Sequence, residues 1–334
     1  MDTPPATPSF EGPLFIVGMP RSGTKLLREL VCSHPAVGIP AAETELLPDW
    51  ALRWPSFGDL RRPERWAAFI DHVGGSAYFT FLREEQGRGL EADAWRAECR
   101  EFSLQGVFEA RCRMDGGAPA GGVWGDKSPG YLAHLPLLWR LWPRARVIHI
   151  VRDCRDYCLS MQEAWGKDPE RAAWRWAERV GAARVAGARR GGQWLELRYE
   201  DLLDAPEATM RAVCAFIERP FDAAVLSPRH APENLGAAAG ADRIVRGNAG
   251  RWRERMSPAL LARVEAVAGH ELQAHGYPLV GAPGRARPPL WRRQLAQLQD
   301  GVQLVRFDLK DRGALGALRF RWRMFAESGA WEGR

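Results

Sequence analysis

Two hydrophobic rhythms alternate along this chain. Short apolar runs closed by Pro, Gly or a charge occupy 13–18, 122–127, 146–152 and 194–199, and each predicts a strand. The run at 146–152, "RVIHIVR", is β-branched and uninterrupted, as a strand buried on both faces requires. Elsewhere apolar positions recur with helical spacing, predicting helices over 24–34, 130–142 with a stop at Pro143, 156–165, 170–189 and around 206–217. The stretch 48–114 is polar and Trp-containing, with helical periodicity broken at Pro55, Pro63 and the Gly74–Gly75 pair. Strand and helix in alternation predict an α/β fold of three layers, a central parallel sheet with helices on both faces.

Composition narrows the class. With 334 residues, 46% hydrophobic and 26% charged, the chain can bury one large core as an ordinary soluble protein. No apolar run approaches the length of a membrane span. The start, "MDTPPATPSFEGP", has neither the basic nor the apolar segment of a secretory signal and reads as a loose leader over 1–12. Six cysteines lie scattered, without metal spacing or paired motifs, so the expected compartment is the reducing cytosol. Cys154 and Cys158, one helical turn apart, are expected to serve helix packing.

Charge is uneven. From Arg285 onward there are eleven Lys and Arg against five Asp and Glu, so this end carries the whole net charge of +6. The expected organisation is the leader, a main domain over 13–280 with 48–114 as a helical insert, and a basic extension over 281–334. The extension begins in the linker-like "GAPGRARPP" at 281–289. Within it "LRFRWRMF" (318–325) alternates apolar residues with Arg319, Arg321 and Arg323. That pattern fits peripheral contact with anionic lipid or an acidic acceptor, and equally fits packing on the body or on a second subunit in a homodimer. No nucleic-acid recognition module is in view.

The candidate chemistry starts after the first strand. In "FIVGMPRSGTKLLREL" (15–30), Gly18 and Gly23 are spaced as in a nucleotide-triphosphate loop. Thr24, however, takes the place of the lysine, which comes one position late as Lys25. A glycine-rich turn between strand and helix aims backbone N–H groups at one spot, where the helix N-terminus adds partial positive charge, so the spot suits a phosphate. Arg21 adds a planar cation; Ser22 and Thr24 add hydroxyl donors. No strand ends in an obvious Mg²⁺-holding Asp, since "HIVRD" puts Arg152 before Asp153. The loop therefore suits a phosphate group held without metal better than a triphosphate. Arg152 and Ser160, eight residues apart across a strand–helix junction, can form a second anion site if the chain turns tightly there.

Taken together these motifs resemble the sulfotransferases that use 3′-phosphoadenosine 5′-phosphosulfate (PAPS), in particular their bacterial and tyrosylprotein-like branch. "PRSGT" looks like their 5′-phosphosulfate loop and "VRDCRDYCLS" (151–160) like their 3′-phosphate motif. The likeness continues through "GDKSP" (125–129), "LRYEDLLDAPEATM" (197–210) and "GRWRERM" (250–256), covering about 13–275 in order. The resemblance implies a P-loop-like fold, PAPS as co-substrate, PAP as product and no required metal. It implies donor contacts from Arg21, Ser22, Gly23, Thr24, Lys25, Arg152, Ser160, Tyr199 and Arg251. Glu43 in "PAAETELL" resembles the family's catalytic base, with Glu45 its rival; Lys127 resembles the catalytic lysine, and Arg21 acts as clamp and charge stabiliser. His34, His134 and His149 lack the context of a catalytic histidine and are expected in core or cap roles. One departure is Ala164, where the tyrosylprotein-like branch has a basic residue; the 3′-phosphate grip is then weaker, or Lys167 substitutes.

Sulfuryl transfer is in line and loose by analogy with phosphoryl transfer, so positioning and charge stabilisation carry most of the rate. The acceptor is a hydroxyl or amine of a small molecule, lipid or glycan, or a peptide tyrosine. The insert, with Trp50, Trp54, Trp66 and Trp95, is expected to build much of its pocket. The competing class is a small-molecule or nucleoside kinase with a variant phosphate loop.

Overall fold

A computed structural model describes residues 10–231 and 240–302, apart from 288, 293 and 296. Five strands, β1 (Leu14–Gly18), β2 (Val37–Gly38), β3 (Val123–Lys127), β4 (Arg146–Val151) and β5 (Trp194–Arg198), form one parallel sheet in the order β2-β3-β1-β4-β5. Helix α1 (Thr24–Cys32) follows β1. The insert folds as α2 (Leu47–Phe57), α3 (Pro63–Gly74), α4 (Ala77–Gln86), α5 (Ala92–Glu98) and α6 (Leu104–Gly116). Then come α7 (Leu135–Leu141), α8 (Cys154–Trp165), α9 (Pro169–Gly187), α10 (Tyr199–Asp204), α11 (Pro206–Phe216), α12 (Trp252–Arg255) and α13 (Pro258–Ala274).

Alternation along the central strands explains the layers. Leu14 and Ile16 of β1 join Ile148 and Ile150 of β4 in a core shared with α1, α10 and α11. Phe15 and Val17, pointing the other way, join Val147 and Val151 in a larger core with the insert, α7, α8, α9 and α13. Every residue of β1 is buried, as expected of a strand covered on both sides. The predicted parallel sheet and its flanking helices are thus observed.

Several local expectations change. Pro55 does not break α2; it sits in the last turn, where a missing N–H costs at most one helical hydrogen bond. The helix expected over 130–142 is split at His134 into a 3₁₀ turn (Pro129–Ala133) and α7, because Pro136 suits the first turn of a new helix. The insert tryptophans form a core rather than a pocket wall: Trp50 stacks on Trp95 with centroids 6.1 Å apart, and both pack on Phe69. Within 281–289, residues 284–286 are laid along α13, with Gly284 O accepting from His270 N and Ala286 N donating to Ala266 O. Beyond it the described residues of 290–302 are helical. Residues 1–9 of the expected leader over 1–12, and the motif at 318–325, lie outside the described residues. Among the described residues no helix is long and apolar enough to cross a membrane.

Candidate active site

The strand order locates the site. From β1 the chain passes to β2 and β3 on one side, and from β4 to β5 on the other, so the order reverses between β1 and β4. A crevice opens at the carboxyl ends of strands at such a reversal. Four neighbouring strands end there in Lys127, the Arg21 turn, Arg152 and Tyr199, stepped about 4.8 Å apart from strand to strand.

The first loop is shaped by two glycines. At Gly18 a Cβ would fall 2.6 Å from the Ile150 carbonyl oxygen of the adjoining strand. Gly23 has φ 90°, and a Cβ there would lie 2.6 Å from Cε2 of Tyr199. Only glycine fits that backbone and that ring together. Gly23 is also the N-cap of α1 and offers no side chain to its first amides, which keeps them available to an anion. Arg21 sits at φ 67°, strained for a residue with a side chain. Its carbonyl accepts from Arg152 Nη1 at 3.0 Å, and its Nε donates to Ser160 Oγ at 3.3 Å.

The two predicted anion motifs therefore meet. Arg152 is 3% exposed; its Nη2 donates to Asn248 O at 2.8 Å, and its guanidinium carbon lies 4.8 Å from the Tyr199 ring centre. Asn248 Nδ2 donates to the Tyr199 hydroxyl at 3.0 Å, tying the late loop to the end of β5. Arg152 Nε and Ser22 Oγ are buried with no hydrogen-bond partner among the described residues. An orphaned guanidinium N–H beside a ring and a glycine turn fits an oxyanion ligand.

On the other side of β1, Lys127 Nζ donates to Glu43 Oε1 at 2.7 Å. The loop bearing Glu43 is pinned to the end of β3. Thr44 Oγ1 and Ser128 Oγ both donate to Asp126 Oδ2, at 2.8 and 2.9 Å, and Glu45 N donates to Ser128 Oγ at 3.2 Å. Burial pushes the Asp126 carboxyl up to about 6, against the lowering pull of those two hydroxyl bonds. Glu45 is raised too, by burial and then by the Glu43 charge, and its Oε1 accepts from Gly130 N at 3.2 Å. Glu43 and Glu45 face a cavity of 530 Å³ together with Arg21, Gly23, Thr24 and Lys25. Trp165, Arg175 and Arg179 also line it, together with the apolar Met19 and Leu132.

Not every expected residue faces this cavity. The Ser22 side chain is fully buried, and its N–H donates to Met19 O. Arg251 pairs with Glu163 of α8 at 3.1 Å, while the neighbouring amides of Gly250 and Trp252 donate to Asp156. Asp156 and Glu163, both on α8, thus dock that loop together. Lys167 Nζ reaches the Asp300 carbonyl at 3.4 Å. His34 Nδ1 accepts from Ala36 N in a turn, His134 is the N-cap of α7, and His149 is buried against Glu196, all as core or cap groups. Cys154 and Cys158 are buried with sulfurs 4.0 Å apart.

No residue of 48–114 lines the cavity, which corrects the expectation that the insert tryptophans build it. Sequence reasoning missed Arg175 and Arg179. A signal existed: Arg171, Arg175 and Arg179 repeat every four residues on one face of α9, a like-charge row that disfavours a helix unless anions face it. Arg171 finds Asp300, whereas the other two reach the cavity.

Residues 13–223 match the model of a family described as the sulfotransferase family. A Danio rerio relative named protein-tyrosine sulfotransferase 1 is 27% identical over 237 residues, spanning 68% of this chain and 58% of that protein. Among solved structures, a sulfotransferase domain from the curacin biosynthetic pathway superposes with a TM-score of 0.54 at 23% identity, over 81% of this chain and all but 1% of that one (99%). A sulfotransferase domain from a Synechococcus PCC 7002 olefin synthase gives 0.51 at 23%, over 82% of this chain and 98% of that one. Both structures share the fold.

Proposed function

This chain belongs to the sulfotransferase family, and from that premise we propose that it moves a sulfuryl group from PAPS to an acceptor hydroxyl or amine, releasing PAP. The observation that carries the reading is the convergence of Arg152 and Ser160 on the Arg21 turn, with Glu43 and Arg21 in one cavity. PAPS carries anions at both ends of one nucleoside, and these groups offer two cationic grips on neighbouring strand ends. When bound, the donor supplies an activated sulfuryl group.

The residues then divide the work. Arg21, with the free amides at the start of α1, Thr24 and Lys25, holds the 5′ side. Arg152 and Ser160 hold the 3′-phosphate, with the Tyr199 ring beside them. Glu43 takes the acceptor proton; it is the more accessible half of its pair, with a side chain 37% exposed against 1% for Lys127. Glu45 is held by Gly130 N at the cavity's edge and suits a wall better than a base. Lys127, already hydrogen-bonded to Glu43, stabilises charge that develops on the transferring group. Arg251 holds its loop to α8 and covers the donor from there. Acceptor candidates remain a small molecule, lipid, glycan or peptide tyrosine, fitted to a cavity lined by apolar residues and by Arg175 and Arg179.

Thermal melting with PAP and with ATP–Mg²⁺ tests the donor. PAP is expected to raise the melting temperature; stabilisation by ATP–Mg²⁺ alone would return the reading to a kinase. An acceptor screen with labelled PAPS over phenols, hydroxylated lipids, glycans and tyrosine peptides then identifies the substrate.

A further inference from the structure

The described helical residues of 290–302 are turned inside out. On an ideal helix Trp291, Leu295, Leu298 and Val302 fall at i, i+4, i+7 and i+11, one continuous stripe. A surface helix normally hides such a stripe against the body. Here those side chains are 63%, 49%, 70% and 52% exposed, and Leu290 beside them is 70% exposed. The opposite face is the one that docks. Asp300, half a turn from the stripe, is 5% exposed; it accepts from Asp168 N at 3.0 Å and pairs with Arg171 of α9. Arg292 pairs with Glu170 at 3.2 Å. Polar contacts thus fix the helix to the start of α9 and point its apolar side outward.

Charge identifies what covers it. A second copy of this helix would bring another basic segment against the first, since 285–334 carries eleven Lys and Arg and five Asp and Glu. The chain's own 303–334 has seven Lys and Arg to four Asp and Glu, the same sign again. Asp300, the one acid in 285–302, is already engaged with Arg171. Arg285 and Arg287 are exposed just before the helix. An apolar stripe led by Trp and flanked by arginines complements a surface that is greasy and negative. We propose that the outward face of 290–302 seats this protein on an anionic lipid surface, with Trp291, Leu295 and Leu298 entering the headgroup–acyl boundary. The described helical residues, 290–302, are too few to span a bilayer, and the contact proposed through them is peripheral.

The test uses the full chain in co-flotation with phosphatidylcholine vesicles and with mixed phosphatidylcholine–phosphatidylglycerol vesicles, with light scattering to record mass. Binding to the mixed vesicles is expected, weakening on phosphatidylcholine alone and with added salt. The paired variant Leu295→Glu/Leu298→Glu removes only exposed side chains, so its melting temperature should match the parent while its partition onto mixed vesicles falls about tenfold or more. Three outcomes overturn the proposal. The parent fails to bind mixed vesicles; or the paired variant binds as well as the parent, assigning the contact elsewhere; or the parent is a dimer that the paired substitution dissociates.

Discussion

Gly23→Ala probes the crevice at its tightest point. Two costs can be worked from the geometry. The backbone at φ 90° is one that side-chain-bearing residues avoid, at about 1–2 kcal/mol. The new methyl would sit 2.6 Å from Cε2 of Tyr199, well inside the roughly 3.5–4.0 Å of a good carbon contact, so the ring must move about 1 Å. Overpacking of that kind costs about 1–3 kcal/mol. The ring cannot move alone, because its hydroxyl holds Asn248 and its face meets Arg152. The expected total is about 2–5 kcal/mol of stability, accompanied by loss of PAP affinity. Urea unfolding of Gly23→Ala, Tyr199→Ala and the double variant forms a cycle that separates the two costs. The steric part should vanish without the ring, leaving a coupling of about 1–3 kcal/mol. A cycle that adds within about 0.5 kcal/mol, or a single variant as stable as the parent, refutes the packing argument.

Further outcomes follow from the same crevice. Glu43→Gln should leave PAP affinity within about threefold while cutting transfer about 10²–10⁴-fold, measured with whichever acceptor the screen finds. Arg152→Ala should weaken PAP about 10–100-fold in calorimetry and adenosine 5′-phosphate far less; equal losses would remove Arg152 from the 3′ end. Asp126 has its carboxyl raised from 3.8 to about 6, so the folded state holds that proton more tightly than the unfolded chain. Its stabilising contribution is therefore complete below pH 3.8 and lost as pH rises through about 6, roughly 3 kcal/mol in all. Asp126→Asn retains an oxygen for Thr44 and Ser128 and should flatten that part of the stability–pH curve in urea titrations; an unchanged slope would show that Asp126 does not titrate there.

Much of this molecule could be read before any coordinates, for identifiable reasons. β1 and β4 are uninterrupted apolar runs, and the candidate residues Arg21 and Arg152 lie just past their ends, with Lys127 closing β3, so their placement could be read from position alone. β2 has two residues and no period to detect; α10 begins at Tyr199, the last residue of the strand predicted over 194–199. The insert tryptophans misled because a large ring serves a core and a ligand wall equally well, and only packing distinguishes them. Arg175 and Arg179 are separated from Glu43 by more than 130 positions in the chain, and their approach depends on how α9 crosses the sheet. Local motif logic cannot see which way a turn rotates a hydroxyl, so the burial of the Ser22 side chain was not legible in the sequence.

The hydrogen bond from Arg152 to the Arg21 carbonyl has a practical bearing on ligand discovery. It makes the two proposed grips one mechanical part, so a fragment lodged at either end should also stiffen the other. Two weak fragments should therefore reinforce each other before any linker joins them, and screening them singly will undervalue both.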